Sequence, residues 1–248
     1  MRTKERGVID QRIEELDSLV KRFHLHYCLA GGRYMKSILK LAAIVLTATI
    51  SSAAFAYYDV LDTGEVMAPG KYKLTADTQL VTSEGGINVG AIFDAGFQEE
   101  FGVRALAGFG TTDYYMGGLF KWMPVPDVGD QPAVGFNVGM IYGKWHDSRD
   151  LTFRLEPLVS KKFTLERIIV TPYSSLPLGI RTRNSDNRQI DTDAKFQAQF
   201  VAGSQLQVEK WKNLQFLGEV GLDLSNNSLS HVSVAAVWYF DEQGFELK

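Results

Sequence analysis

Two groups of residues carry reactive side chains in a meaningful pattern. In His231-Val232-Ser233 an imidazole and a hydroxyl are two positions apart, which puts them on one face of an extended chain. A base beside a nucleophile is the least that ester hydrolysis needs. The only other histidine after Ala56 is His146, and His146-Asp147-Ser148 reads as a polar turn. The sequence assures no acidic residue to orient His231, and no catalytic residue is assigned. No glycine-rich phosphate loop or metal-spaced His/Cys/carboxylate cluster occurs, and neither cofactor nor metal is expected.

The second group is larger and consists of Lys71, Lys73, Asp77, Asp94, Arg104, Lys121, Arg154, Glu156, Arg181, Lys195, Glu219 and Asp223. Both signs are present, and all twelve fall on the polar side of alternating segments. Such a set forms an ion-pair network if it faces a narrow interior, or a polar path if the interior is wide.

The elements that position these residues are strands. From Gly70 onward ten segments alternate apolar and polar residues between turns. Tyr72, Leu74, Ala76, Thr78 and Leu80 oppose Lys71, Lys73, Thr75, Asp77 and Gln79. Val134, Phe136, Val138, Met140 and Tyr142 oppose Gly135, Asn137 and Gly139, and Val232, Val234, Ala236, Trp238 and Phe240 oppose His231, Ser233 and Ala235. None of the apolar rows holds a charged residue, whereas eight of the ten opposite rows do. Aromatics gather at segment ends as Tyr72, Phe97, Trp122, Tyr142, Trp238 and Phe240, the placement of interfacial girdles. The pattern predicts an all-β fold, a closed antiparallel transmembrane β-barrel over 70–240 of about ten strands, with eight as the fallback. Pro157, Pro172 and Pro177 each remove a ladder donor, so bulges or shortened pairing are expected there.

Around the barrel the chain divides by charge. Residues 57–248 hold 17 Lys+Arg against 24 Asp+Glu, a net of −7, which argues against nucleic-acid binding. Met35-Lys36-Ser37-Ile38-Leu39-Lys40, the apolar Leu41 to Ile50 and the small-x-small Ala54-Phe55-Ala56 follow the order of a secretory signal peptide over 35–56, cleaved near Ala56. Residues 1–34 are expected to be a gene-start artefact or leader, with translation starting at Met35. Residues 57–69 are expected as a periplasmic N-terminal segment and 241–248 as a C-terminal tail.

Signal, dyad-repeat strands and the aromatic last strand Val234-Ala235-Ala236-Val237-Trp238-Tyr239-Phe240 together resemble small Gram-negative outer-membrane β-barrel proteins. The resemblance implies an outer-membrane location, outer-membrane lipid as surroundings and the barrel-assembly machinery as partner. It departs from the class in that the chain runs on past Phe240. Ten strands enclose little more room than side chains fill, so the expected role is structural or surface contact around a largely plugged polar lumen, without enzymatic activity. A narrow pore for small solutes is one alternative. The other is a lipid esterase or deacylase using His231 and Ser233, because that His-x-Ser pair resembles outer-membrane lipid hydrolases. A surface partner is expected at Asn184–Asp193, in the long polar turn.

Overall fold

The computed structural model describes residues 59–82, 85–145, 148–185, 194–211, 213–225, 230–242 and 244. The expected leader, the signal peptide, His146 and most of the 184–193 turn and the tail lie outside them. Among the described residues every regular element is a strand: β1 (Lys71–Val81), β2 (Gly86–Gly96), β3 (Phe101–Gly110), β4 (Tyr114–Val125), β5 (Ala133–Trp145), β6 (Ser148–Ser160), β7 (Phe163–Thr164), β8 (Ile168–Ser175), β9 (Leu178–Ser185), β10 (Lys195–Val208), β11 (Leu214–Asp223) and β12 (His231–Asp241).

From β1 to β6 each strand pairs antiparallel with the next, β6 and β10 both pair with β8 and with β9, and β10 pairs β11, β11 pairs β12 and β12 returns to β1, so the sheet closes on itself. The barrel has ten staves, because β8 and β9 share one and the two-residue β7 pairs only with β8. β8 faces Leu158–Ser160 of β6 and Val201–Val208 of β10, while β9 faces Ser148–Leu155 and Lys195–Ala198 of the same two strands. The division falls at Leu176-Pro177, where a proline cannot donate to the ladder. Leu176 N–H instead donates to Pro157 O at 3.1 Å, and Gln199 N–H donates to Pro177 O at 3.0 Å, which stitches the break. The alternation around 176–180 marked only the later half of this stave; Ile168–Ser175 and the short β7 were missed because Pro172 interrupts their pattern.

Polarity is inside out. Buried positions include Lys73, Thr75, Asp77, Gln79, Asn88, Asp94, Arg104, Arg154, Glu156 and Gln199, while Ile87, Phe109, Met116, Met140, Phe153, Ile180 and Val234 lie exposed on the outside. A water-soluble sheet would bury the second set. An apolar exterior around a charged interior, with no open edge, is the architecture of a transmembrane barrel. Aromatics concentrate around the end where β1 starts and β12 stops, here the terminal end. Tyr72, Phe93 and Phe240 stack there, and Phe97, Phe101, Phe120, Trp122 and Phe136 form a continuous band. Tyr114 and Tyr142 meet toward the far end.

Candidate functional site

Cross-strand register assembles the lumen in rows. Lys73 faces Asp94, which faces Arg104. One step toward the terminal end, Lys121 faces Asn137, which faces Glu156. A third row runs Tyr173, Gly203, Glu219, Ser233, Gln79, Asn88. The first row is unbalanced, since Asp94 pairs with Lys73 at 3.0 Å and with Arg104 at 2.7 Å while Lys121 stands nearby with no wall carboxylate. Buried cations left this way would cost several kcal/mol, on the order of the desolvation penalty per ion.

The missing acceptor comes from the segment before β1. Asp62, fully buried, lies 2.8 Å from Lys121 Nζ, 3.1 Å from Arg104 Nη1 and 3.3 Å from Lys73 Nζ, and accepts a hydrogen bond from Asn137 Nδ2 at 3.1 Å. Its neighbours are seated as firmly. Val60 and Leu61 N–H donate to the two oxygens of Glu219 at 2.9 and 2.6 Å, and Arg104 donates to the Val60 and Leu61 carbonyls at 2.9 and 3.3 Å. Lys121 Nζ also donates to Thr63 O and Glu65 O, both at 2.7 Å, and Arg154 donates to Asp59 O at 3.3 Å. Backbone groups that would otherwise be orphaned inside the barrel are thus paired with wall side chains. Val60 and Leu61 pack among the buried apolar residues of the wall, including Ile92, Leu106 and Leu119.

The segment therefore forms a plug. It enters at the terminal end, where Pro69 bridges Gly96, and reaches inward until the Asp59 carboxylate lies 3.4 Å from Ser233 Oγ. Gly96 is required at the entry, because a Cβ there would coincide with the Met67 carbonyl. The sequence reading set 57–69 apart from the barrel as a periplasmic N-terminal segment; of these residues, those from Asp59 to Thr63 lie buried within the barrel. The segment has no strand periodicity, and its aspartates were not among the residues singled out from the sequence. The signal that was available is the surplus of Lys73, Arg104 and Lys121 over Asp94 on neighbouring inward rows. Below the plug a cavity of about 350 Å³ opens at the terminal mouth, with Thr63, Gly64 and Met123 at its floor and Lys161, Gln205 and Gln215 among its walls.

The other expected lumen residues divide. Asp77, Arg154, Glu156, Arg181 and Glu219 are buried, with Arg154 Nε paired to Glu156 at 2.5 Å. Lys71 and Lys195 are exposed at opposite rims, where their strands begin, and Asp223 is half-buried at the far rim and caps Ser225 N–H at 2.9 Å. These three are corrections to the lumen set: alternation assigns a face but says nothing of depth.

His231 and Ser233 face the lumen and do not bond each other. Glu219 lies 3.0 Å from His231 Nε2, and Gln199 Nε2 lies 3.1 Å from Nδ1. Tyr173 OH donates to the other Glu219 oxygen at 2.6 Å. Both residues are 1% exposed; Ser233 Oγ is turned toward the Asp59 carboxylate of the plug, and His231 lies against Glu219, whose oxygens accept from Val60 and Leu61 N–H. Tyr173 completes this network and was not singled out from the sequence; Asn137, which bridges Asp62 and Glu156, was placed on the inward row but not among the expected site residues. No group of metal-ligating residues occurs among the described residues.

No protein-family model and no curated protein matches the chain. Among solved structures it is similar to a de novo designed transmembrane beta-barrel, at 14% identity over 71% of this chain and 99% of that one, TM-score 0.36. It is similar to an outer membrane channel from Pseudomonas putida F1, at 12% identity over 74% and 100%, TM-score 0.36. It is also similar to Ail, the attachment invasion locus protein of Yersinia pestis, at 10% identity over 70% and 100%, TM-score 0.27. The class, a transmembrane β-barrel, rests on the chain's own closed sheet and inverted polarity.

Proposed function

We propose that the protein is an outer-membrane β-barrel whose own N-terminal segment closes the lumen, so that its role lies in structure or surface contact. The observation that carries this is Asp62, held inside the barrel by Lys73, Arg104, Lys121 and Asn137 while Asp59 to Thr63 occupy the space around it. A lumen filled by backbone and bound carboxylate leaves no continuous aqueous path. Outer-membrane lipid would surround the apolar belt, and the aromatic end of β12 would be read by the barrel-assembly machinery. The far rim around Asn184 and the turn after it would meet a surface partner.

Conductance tests the reading. The purified protein in planar bilayers should show little steady current, and Asp62→Asn, which removes the charge that the three cations hold, should raise it. Large, stable, ion-selective steps from the unsubstituted protein would overturn the closed lumen in favour of a diffusion pore.

A further inference from the structure

The mouth at the terminal end carries a group of amides and hydroxyls that the plug does not use. Register sets them on two successive inward rows. Thr171 of β8 faces Gln205 of β10, and in the next row toward the mouth Ile169 faces Gln207, which faces Gln215 of β11. Thr171, Gln205, Gln207 and Gln215 all line the cavity of about 350 Å³ whose floor is the plug at Thr63 and Gly64. Gln205 is 5% exposed, and both hydrogens of its amide are used: Nε2 donates to Gln215 Oε1 and, at 2.9 Å, to Tyr239 OH. The side chain is thereby fixed with its Oε1 buried and without a hydrogen-bond partner among the described residues, an acceptor that is costly to leave empty. Gln215, having accepted through Oε1, keeps its Nε2 hydrogens as donors, and the Thr171 hydroxyl and the Gln207 amide can each donate and accept. Charge around the cavity is already engaged. Lys161 Nζ gives its three hydrogens to Asp127, Gly129 O and Gln131 O, and Glu65 accepts from Tyr239 OH at 2.9 Å. Val66, Met123 and Ile169 add an apolar part to the lining.

We infer that this cavity binds a neutral saccharide of one or two rings. A sugar hydroxyl donates to Gln205 Oε1, neighbouring hydroxyls meet Thr171, Gln207 and Gln215, and the C–H face of a ring lies on the apolar lining. Groups that both donate and accept match vicinal hydroxyls, which do the same. An anion would find Lys161 held by Asp127, and an apolar ligand would leave Gln205 Oε1 unmet. The volume falls at the lower end of small-molecule sites, roughly 300–1,000 Å³. Because the plug forms the floor, the site exists only while that segment is seated, and the inference rests on the closed-lumen reading above.

The test uses the full chain folded into micelles of lauryldimethylamine oxide, a detergent without sugar, and titrated with maltose and with N,N′-diacetylchitobiose under saturation-transfer difference NMR. At least one disaccharide should bind. The double variant Thr171→Val/Gln207→Leu removes two polar groups without touching the Gln205 amide and should weaken that binding about tenfold, the effect of two neutral hydrogen bonds. Tyr114→Phe at the opposite rim should leave it unchanged, and neither acetate nor choline should compete. Heat-dependent gel migration confirms that each variant is folded. Equal binding by the double variant and the parent would overturn the assignment, as would displacement by acetate, which would make the mouth a site for anions. Conductance of the same preparation separates the two readings: a parent that conducts steadily has lost the closed lumen, whereas a closed parent that binds neither disaccharide sinks the saccharide site alone.

Discussion

Asp62 shows how one carboxylate can decide whether a set of like charges stabilises or strains a wall. Its replacement by asparagine keeps the size and one hydrogen bond while leaving Lys73, Arg104 and Lys121 around Asp94 alone. Breaking a buried pair by removing one partner costs roughly 3–5 kcal/mol, and a similar fall is expected in the temperature-dependent unfolding of Asp62→Asn in detergent. Gly96→Val should act on the same segment without touching a charge, because its side chain collides with the Met67 carbonyl at the plug's entry. We expect a loss of about 1–3 kcal/mol by the same measurement. A variant as stable as the parent would show that the chain does not pass over Gly96. His231→Ala removes one partner of Glu219, whose oxygens still accept from Val60, Leu61 and Tyr173. It should cost about 1–3 kcal/mol and change no hydrolytic activity in an ester-release assay.

At the scale of the strand, facing was legible and depth was not. Every outward row read from Tyr72 to Phe240 is outward in the barrel, because alternation with a period of two depends only on local sequence. Lys71 and Lys195 were assigned to the lumen by the same rule, yet each opens its strand, where the wall has ended. The plug was illegible for a related reason: a segment without periodicity declares itself only through the partners it meets, and those are about ten to 175 positions away in sequence. Depth is testable on β5, where Val134 and Val138 share a face. Val138→Arg should cost about 2–4 kcal/mol near the bilayer midplane and Val134→Arg about 0–1 kcal/mol near its edge, measured by denaturant titration in lipid vesicles. Equal costs would move the belt. The turn after β4 carries a pH-dependent clamp. Lys161 Nζ and Lys162 N–H both donate to Asp127 at 2.6 Å. Slight burial pushes the Asp127 carboxyl up, and these hydrogen bonds outweigh it, so the group sits below the usual carboxylate range. The clamp should hold above the ordinary aspartate pKa and be lost as pH falls through the lowered value, read as faster amide exchange at Lys162 on acidification.

The whole molecule joins two requirements that pull in opposite directions: an apolar outside that tolerates no charge, and an inside with more charge than its volume can hydrate. The segment Asp59 to Thr63 lies within the space the ten staves enclose, held there by Glu219, Arg104 and Lys121. Where a ring lies against the lumen wall, the residue facing it is glycine. Tyr115 lies over Gly108, Tyr173 over Gly203 and His231 over Gly221, each the cross-strand partner of the ring that covers it. Folded into detergent, the protein should show β-rich circular dichroism and migrate differently on gels before and after boiling. A chain that stays in solution without detergent would refute the membrane barrel.

The plug is joined to β1 by only the few residues from Gly64 to Gly70, and this tether sets its kinetics. A segment released from the lumen stays within a short chain length of its site, at an effective concentration on the order of millimolar. Recapture is therefore unimolecular, and a separate peptide of the same sequence would compete poorly at micromolar levels. A barrel weakened at Asp62 should flicker in single-channel recordings, with brief openings ended by return of its own segment. Cutting the tether between Gly64 and Gly70 should lengthen those openings far more than any single substitution in the wall.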